Sequence, residues 1–305
     1  MINEPLRKTW CWKGYKIAYQ VCGETGPAVI LIHGFGASSG HWRKNLPVLG
    51  KTCRCYALDL IGFGGSAKPT PDQDISYTFE TWGQQIADFC REVIATPAFL
   101  VGNSIGCVAC MQTAVDNPDL IVGVAAINCS LRLLHQRKQL NLPFYRRLGA
   151  SVLQKILKNK AIGNFFYQQI AKPKVVKKIL LEAYARKEAV TDELIELIMK
   201  PALDEGAVDV FLAFTSYSGG PLPEDLLPVL SCPTILLWGT EDPWEPFSMG
   251  QELAKFPKVQ KFIPLKGLGH CPQDEAPEIV NPILQNWILA TDVPEPRLQK
   301  RRIKD

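Results

Sequence analysis

Short runs of apolar residues recur along the 305-residue chain, at 15–21, 28–32, 55–60, 98–101, 122–128, 234–238 and 262–265. Each is too short for a stable helix. Apolar side chains at consecutive positions mark strands buried on both faces rather than on one. Between later runs lie segments with apolar positions at helical spacing, notably 77–94 and 104–116. This alternation predicts an α/β fold, a mostly parallel central sheet flanked by helices. The earliest runs lack such helices between them, and an antiparallel edge is expected there.

From Cys129 to about Leu226 the strand pattern stops. Val175, Val176, Ile179, Leu180, Ala183 and Tyr184 fall at helical spacing. Thr191 stands as an N-cap before Asp192 and Glu193, and 208–217 reads as a further helix. The expected organisation is a core domain made of residues 1–130 and 227–305, with a helical cap, or lid, inserted over 131–226. Gly219-Gly220-Pro221-Leu222-Pro223 marks the cap's far boundary.

The most informative motif is Gly102-Asn103-Ser104-Ile105-Gly106, which follows the apolar run at 97–101. A strand that turns abruptly into a helix strains its central residue and leaves no room for a Cβ on the flanking positions. The serine hydroxyl then stands above the sheet at a helix N-terminus, where backbone N–H groups can hold an oxyanion. A serine nucleophile needs a base and a carboxylate that fixes the base's tautomer. Of the four histidines, only His270 follows the serine near the C-terminus, in a glycine-rich loop after a strand-like run. Asp242, after the run at 234–238 and before Pro243, is the expected acid, and Glu241 is its neighbouring rival. Asn128 lies at a strand end but is not a carboxylate. The N–H groups of Phe35, in His33-Gly34-Phe35-Gly36, and of Ile105 are the expected oxyanion hole. His33 and Asp59 precede the serine, and both are read as holding loops in place.

Composition and charge refine this picture. A 47% apolar composition suits a globular chain with a sizeable core. No run is long enough to span a membrane, and no secretory or transit signal is read at the N-terminus, so the chain is expected on the cytoplasmic side and not secreted. The ten cysteines lie scattered through predicted strands and helices and are read as reduced, mostly buried thiols. Cys107-Val108-Ala109-Cys110 and Cys53-Arg54-Cys55 have redox and chelating spacings, but packing accounts for them. Neither a metal nor an organic cofactor is expected.

Charge is distributed unevenly. Residues 131–187 hold 14 Lys or Arg against the single acid Glu182, an excess of +13 in a chain whose net charge is +4. Apolar residues interleave with these charges, and Phe144, Phe165 and Phe166 are the cap's candidates for substrate binding. Two readings stay open: a basic face lying on an anionic membrane, or a solvated exterior over an apolar pocket. Nucleic acid is not an expected partner, because the rest of the chain is acidic and no groove-reading motif is present.

Together with Asp59-Leu60-Ile61-Gly62-Phe63-Gly64, these motifs resemble the α/β-hydrolase superfamily over nearly the whole chain. Tyr77-Thr78-Phe79-Glu80-Thr81-Trp82-Gly83, Asp242-Pro243-Trp244-Glu245-Pro246 and Gly269-His270-Cys271-Pro272-Gln273 are similar to the chlorophyll dephytylase and pheophytinase group of cyanobacteria and plastids. That resemblance implies a serine esterase cleaving the phytyl ester of chlorophyll-type pigments, peripheral to the thylakoid membrane. With no transit signal read, a cyanobacterial rather than a nuclear-encoded plastid protein is expected. Cys107 departs from the group's pattern, which has a glycine there. Ser104 argues against dehalogenase or epoxide hydrolase chemistry, where a carboxylate occupies the elbow. A carboxylesterase for another hydrophobic ester, a carbon–carbon bond hydrolase and a slow-turnover pigment or terpenoid binding protein remain alternatives.

Overall fold

The computed structural model describes residues 4–73, 75–133, 135–139 and 160–292. An eight-stranded sheet forms its centre. In chain order the strands are β1 (Leu6–Trp12), β2 (Tyr15–Cys22), β3 (Ala28–Ile32), β4 (Arg54–Leu58), β5 (Ala98–Asn103), β6 (Ile121–Ile127), β7 (Thr234–Gly239) and β8 (Val259–Leu265). Their order across the sheet is β1-β2-β4-β3-β5-β6-β7-β8. β2 pairs antiparallel with β1 and β4, and every later pairing is parallel. This is the α/β architecture with an antiparallel edge that the apolar runs predict.

The central strands β3, β5, β6 and β7 are buried at every position, which explains their unbroken apolar sequences. One face packs against α1 (Phe79–Phe89) and α2 (Ile105–Asp116). The other packs against Trp42, Leu46 and α3 (Pro277–Ala290). β1 escaped the sequence reading because it is an edge strand, exposed along most of its length. The indoles of Trp10 and Trp12 fasten it by donating to Glu92 and Asp88, each at 2.9 Å.

Between β6 and β7 the described chain is helical. Its longer helices are α4 (Lys160–Ile170), α5 (Pro173–Ala183), α6 (Asp192–Ala202) and α7 (Ala207–Ser216). Thr191 caps α6 as expected, its hydroxyl accepting from Leu194 N at 3.2 Å. Leu180, Ala183, Tyr184, Leu194 and Met199 form a cluster that includes Cys271 of the core. These helices therefore rest on the ends of the strands where parallel α/β sheets place their ligands. Among the described residues, no helix is long and apolar enough to cross a membrane.

Candidate active site

Ser104 sits between β5 and α2 with φ 55° and ψ −121°, a strained conformation for a residue with a Cβ. The reason for its glycine neighbour is steric: a Cβ on Gly106 would lie 2.5 Å from Ile32 O and 2.6 Å from His33 O. Gly34 is pressed against the same turn, where an added Cβ would come within 3.2 Å of Ser104 Cβ. That contact brings the loop carrying Phe35 to the elbow. Cys107 fits without exposure, and its thiol donates to Gly102 O at 3.2 Å.

Asp242 and His270 arrive from the loops after β7 and β8. His270 Nδ1 donates to Asp242 Oδ2 at 2.8 Å, which leaves the Nε2 lone pair available as a base. Asn128 Nδ2 also donates to Oδ2, at 2.6 Å, while the backbone N–H groups of Trp244 and Glu245 donate to Oδ1 at 2.9 and 3.1 Å. Burial pushes this carboxyl's pKa up, but the bonds and charge of His270, with those of Asn128 and Trp244, outweigh it and hold Asp242 below the usual range. Glu241, the rival, is exposed, and its side chain accepts from the Thr240 hydroxyl at 3.2 Å.

Three supporting residues lay beyond the sequence reading. Asn103 Nδ2 donates to His270 O at 3.1 Å, so the residue beside the serine also fixes the histidine loop. The ring of Trp244 stands edge-on to His270, 4.9 Å between centroids. Asn128, set aside as a non-acid, orients Asp242 while its Oδ1 accepts from Gly239 N at 3.0 Å. Only the last two carried a sequence signal, their adjacency to Asp242 or to a strand end.

His33 and Asp59 hold loops, as expected. His33 Nδ1 donates to Gly34 O at 2.8 Å and Nε2 accepts from Leu60 N at 3.1 Å. Burial favours its neutral form, against the charge of Asp59 and the Gly34 bond. Asp59 accepts from Ser39 N at 2.5 Å and Gly65 N at 2.7 Å. His41 has a different task. It donates through Nε2 to the Tyr184 hydroxyl at 2.8 Å, which donates to Asp274 at 2.9 Å, itself bound to Arg43 at 2.7 Å. This chain of polar groups ties the helical insertion to the core, and burial pushes the pKa of His41 down to about 4.

Ser104, His270 and Asn103 open into one cavity of about 380 Å³, walled chiefly by Ile170, Val176, Ile179, Leu180, Ile198 and Phe211. Its lining is mostly apolar, as a site for a hydrophobic ligand requires. A larger depression of about 770 Å³ lies elsewhere, against Ile235, Ile283 and Trp287, and includes none of these polar residues. The candidate wall residues Phe165 and Phe166 do not line the site cavity. Gly163, Tyr167 and Ile170 form the more buried stripe of α4, whereas Phe165 and Phe166 are exposed. Phe144 lies outside the described residues.

Among the described residues, Glu245 is the one carboxylic acid in the cavity wall. Its Oε2 accepts from Leu131 N at 2.9 Å, yet burial pushes its pKa up to about 7, against that bond and the charge of His270. A carboxyl whose pKa is higher folded than unfolded makes the protein lose stability as pH rises from about 4.5 through about 7. The loss at pH 8 is on the order of 3 kcal/mol. Glu245→Gln is expected to remove that slope, so its melting temperature relative to wild type rises between pH 5 and pH 8. A constant difference across that range excludes the buried-acid assignment.

With this geometry in place, the chain matches the alpha/beta hydrolase family over residues 29–283. The chain belongs to that family. Among curated alpha/beta hydrolase relatives it is 27% identical over 298 residues to chloroplastic pheophytinase of Arabidopsis thaliana, covering 86% of this chain and 61% of that protein. The chain thus spans less than two thirds of pheophytinase. It is 25% identical to the uncharacterized hydrolase YugF of Bacillus subtilis (strain 168), covering 93% and 98% of the two chains. The solved structure of a bacterial membrane phospholipase A superposes with a TM-score of 0.74 at 23% identity, covering 94% of this chain and 87% of that one, which shows the shared fold.

Proposed function

We propose that this hydrolase cleaves the phytyl ester of chlorophyll-type pigments, releasing phytol and a chlorophyllide-like acid. The observation that carries the reading is a strained Ser104 sharing an apolar cavity with a His270 whose tautomer Asp242 fixes. The similarity to pheophytinase supports the choice of ester. In this reading residues 131–226 act as the cap, and its apolar wall accommodates the hydrocarbon part of the substrate.

His270 Nε2 takes the Ser104 proton as Oγ attacks the ester carbonyl, and the Phe35 and Ile105 N–H groups hold the oxyanion. Collapse of the tetrahedral intermediate expels phytol, which takes the proton back from His270. Water, deprotonated by the same nitrogen, then attacks the acyl-enzyme and frees Ser104 and the pigment acid. Asp242 stabilises the imidazolium in both steps without being protonated.

Purified protein incubated separately with chlorophyll a, pheophytin a and a short generic ester, with products resolved by chromatography, is expected to release phytol over many turnovers from at least one pigment. Cleavage of the short ester alone overturns the pigment assignment but keeps the serine esterase. Stoichiometric pigment binding with no turnover overturns the enzyme.

A further inference from the structure

Helix α4 presents two different faces. Tyr167 and Ile170 turn into the cavity, while Ile162, Phe165 and Phe166 stand exposed on the outside, Phe165 at 65%. Large apolar side chains so exposed are costly unless a surface covers them. The chemistry around this ridge selects the surface. Lys172, Lys174, Lys177 and Lys178 are exposed on and beside α5, and residues 160–183, which hold α4 and α5, contain five lysines against one acid, Glu182. Lys177 lies 3.7 Å from Asp192. Ile179 both lines the cavity and is 40% exposed, so the cavity wall reaches the surface on α5.

We propose that the α4–α5 face is a docking surface for an anionic lipid bilayer, Phe165 and Phe166 entering the acyl boundary and the lysines meeting the headgroups. Aromatic side chains inserted at that depth, backed by a cluster of lysines, form the two-part anchor by which helices lie in a bilayer interface. A partner protein carrying acidic residues matches the charge equally, but it leaves unexplained why the apolar ridge shares a helix with the cavity wall. A membrane explains both, since a hydrophobic ester held in the bilayer faces the helix whose other side lines the site. That route for the substrate rests on the function proposed above; the docking itself does not.

Vesicle flotation of the full chain tests the proposal. The Ser104→Ala background removes hydrolysis from the measurement, so a wrong substrate assignment leaves the result intact. This protein is expected to float with phosphatidylglycerol vesicles and not with phosphatidylcholine vesicles, and to detach as salt is raised. Phe165→Ser/Phe166→Ser is expected to bind about tenfold or more weakly, and Lys174→Glu/Lys178→Glu to lose the preference for anionic lipid. With Ser104 restored, both double variants are expected to keep wild-type activity on a short water-soluble ester, which shows that they fold. Failure of the parent protein to bind phosphatidylglycerol, or undiminished binding by the Phe165/Phe166 variant, overturns the proposal. So does a wild-type dimer in solution that the same two substitutions dissociate.

Discussion

Ser104→Ala protein is expected to lose turnover by about 10⁴-fold or more on any ester the wild type cleaves, because in the proposed mechanism the Ser104 hydroxyl forms the acyl-enzyme. Stability changes little, or rises. The Ser104 side chain makes no capping bond at α2, and the strain at φ 55° lies in the backbone, which alanine shares. The distinguishing measurement is a pre-steady-state trace: wild type releases alcohol in a burst before acid appears, and the alanine variant releases none. Residual activity within tenfold of wild type would falsify the nucleophile assignment.

Asp242→Asn is expected to cost about as much in turnover, again on the order of 10⁴-fold, for a different reason. The carboxylate accepts from four donors, two on each oxygen. An amide has one acceptor and one donor, so either orientation sets an NH₂ against N–H donors. With its NH₂ toward His270, the ring is driven to the tautomer whose Nε2 carries the proton and cannot accept one from Ser104. With its NH₂ toward Trp244 N and Glu245 N, one part-buried and one buried backbone donor lose their partner, at a cost of about 1–3 kcal/mol for the buried one. Turnover and melting temperature measured together separate the cases. Retention of more than about a tenth of wild-type turnover at an unchanged melting temperature shows that Asp242 does not fix the base.

The elbow was legible because sterics leave few alternatives: a serine at positive φ between close-packed glycines leaves a pattern that local sequence displays. Asp242 and His270 could be singled out by their positions after strand-like runs, and the structure joins them at 2.8 Å. Residues that act through contacts across the fold were not. Asn103 looks like any polar residue of the elbow until its amide reaches His270 O, 167 positions away. Tyr184 looks like one more apolar position at a helical spacing until its hydroxyl joins His41 to Asp274. Aromatic type alone suggests Phe165 and Phe166 as substrate contacts, and helical phase turns both outward.

The sequence by itself determined the architecture, since unbroken apolar runs alternating with helical spacing have few ways to bury themselves, and it determined which serine is strained, since that strain is local. Tertiary structure alone decided which neighbours meet the charged and polar groups. It put Asn128 on Asp242, placed Glu245 in an apolar wall that raises its pKa to about 7, and left Phe165 facing out. The physical reason is that burial and hydrogen bonding depend on three-dimensional neighbours, which linear spacing does not specify beyond a turn or two of chain.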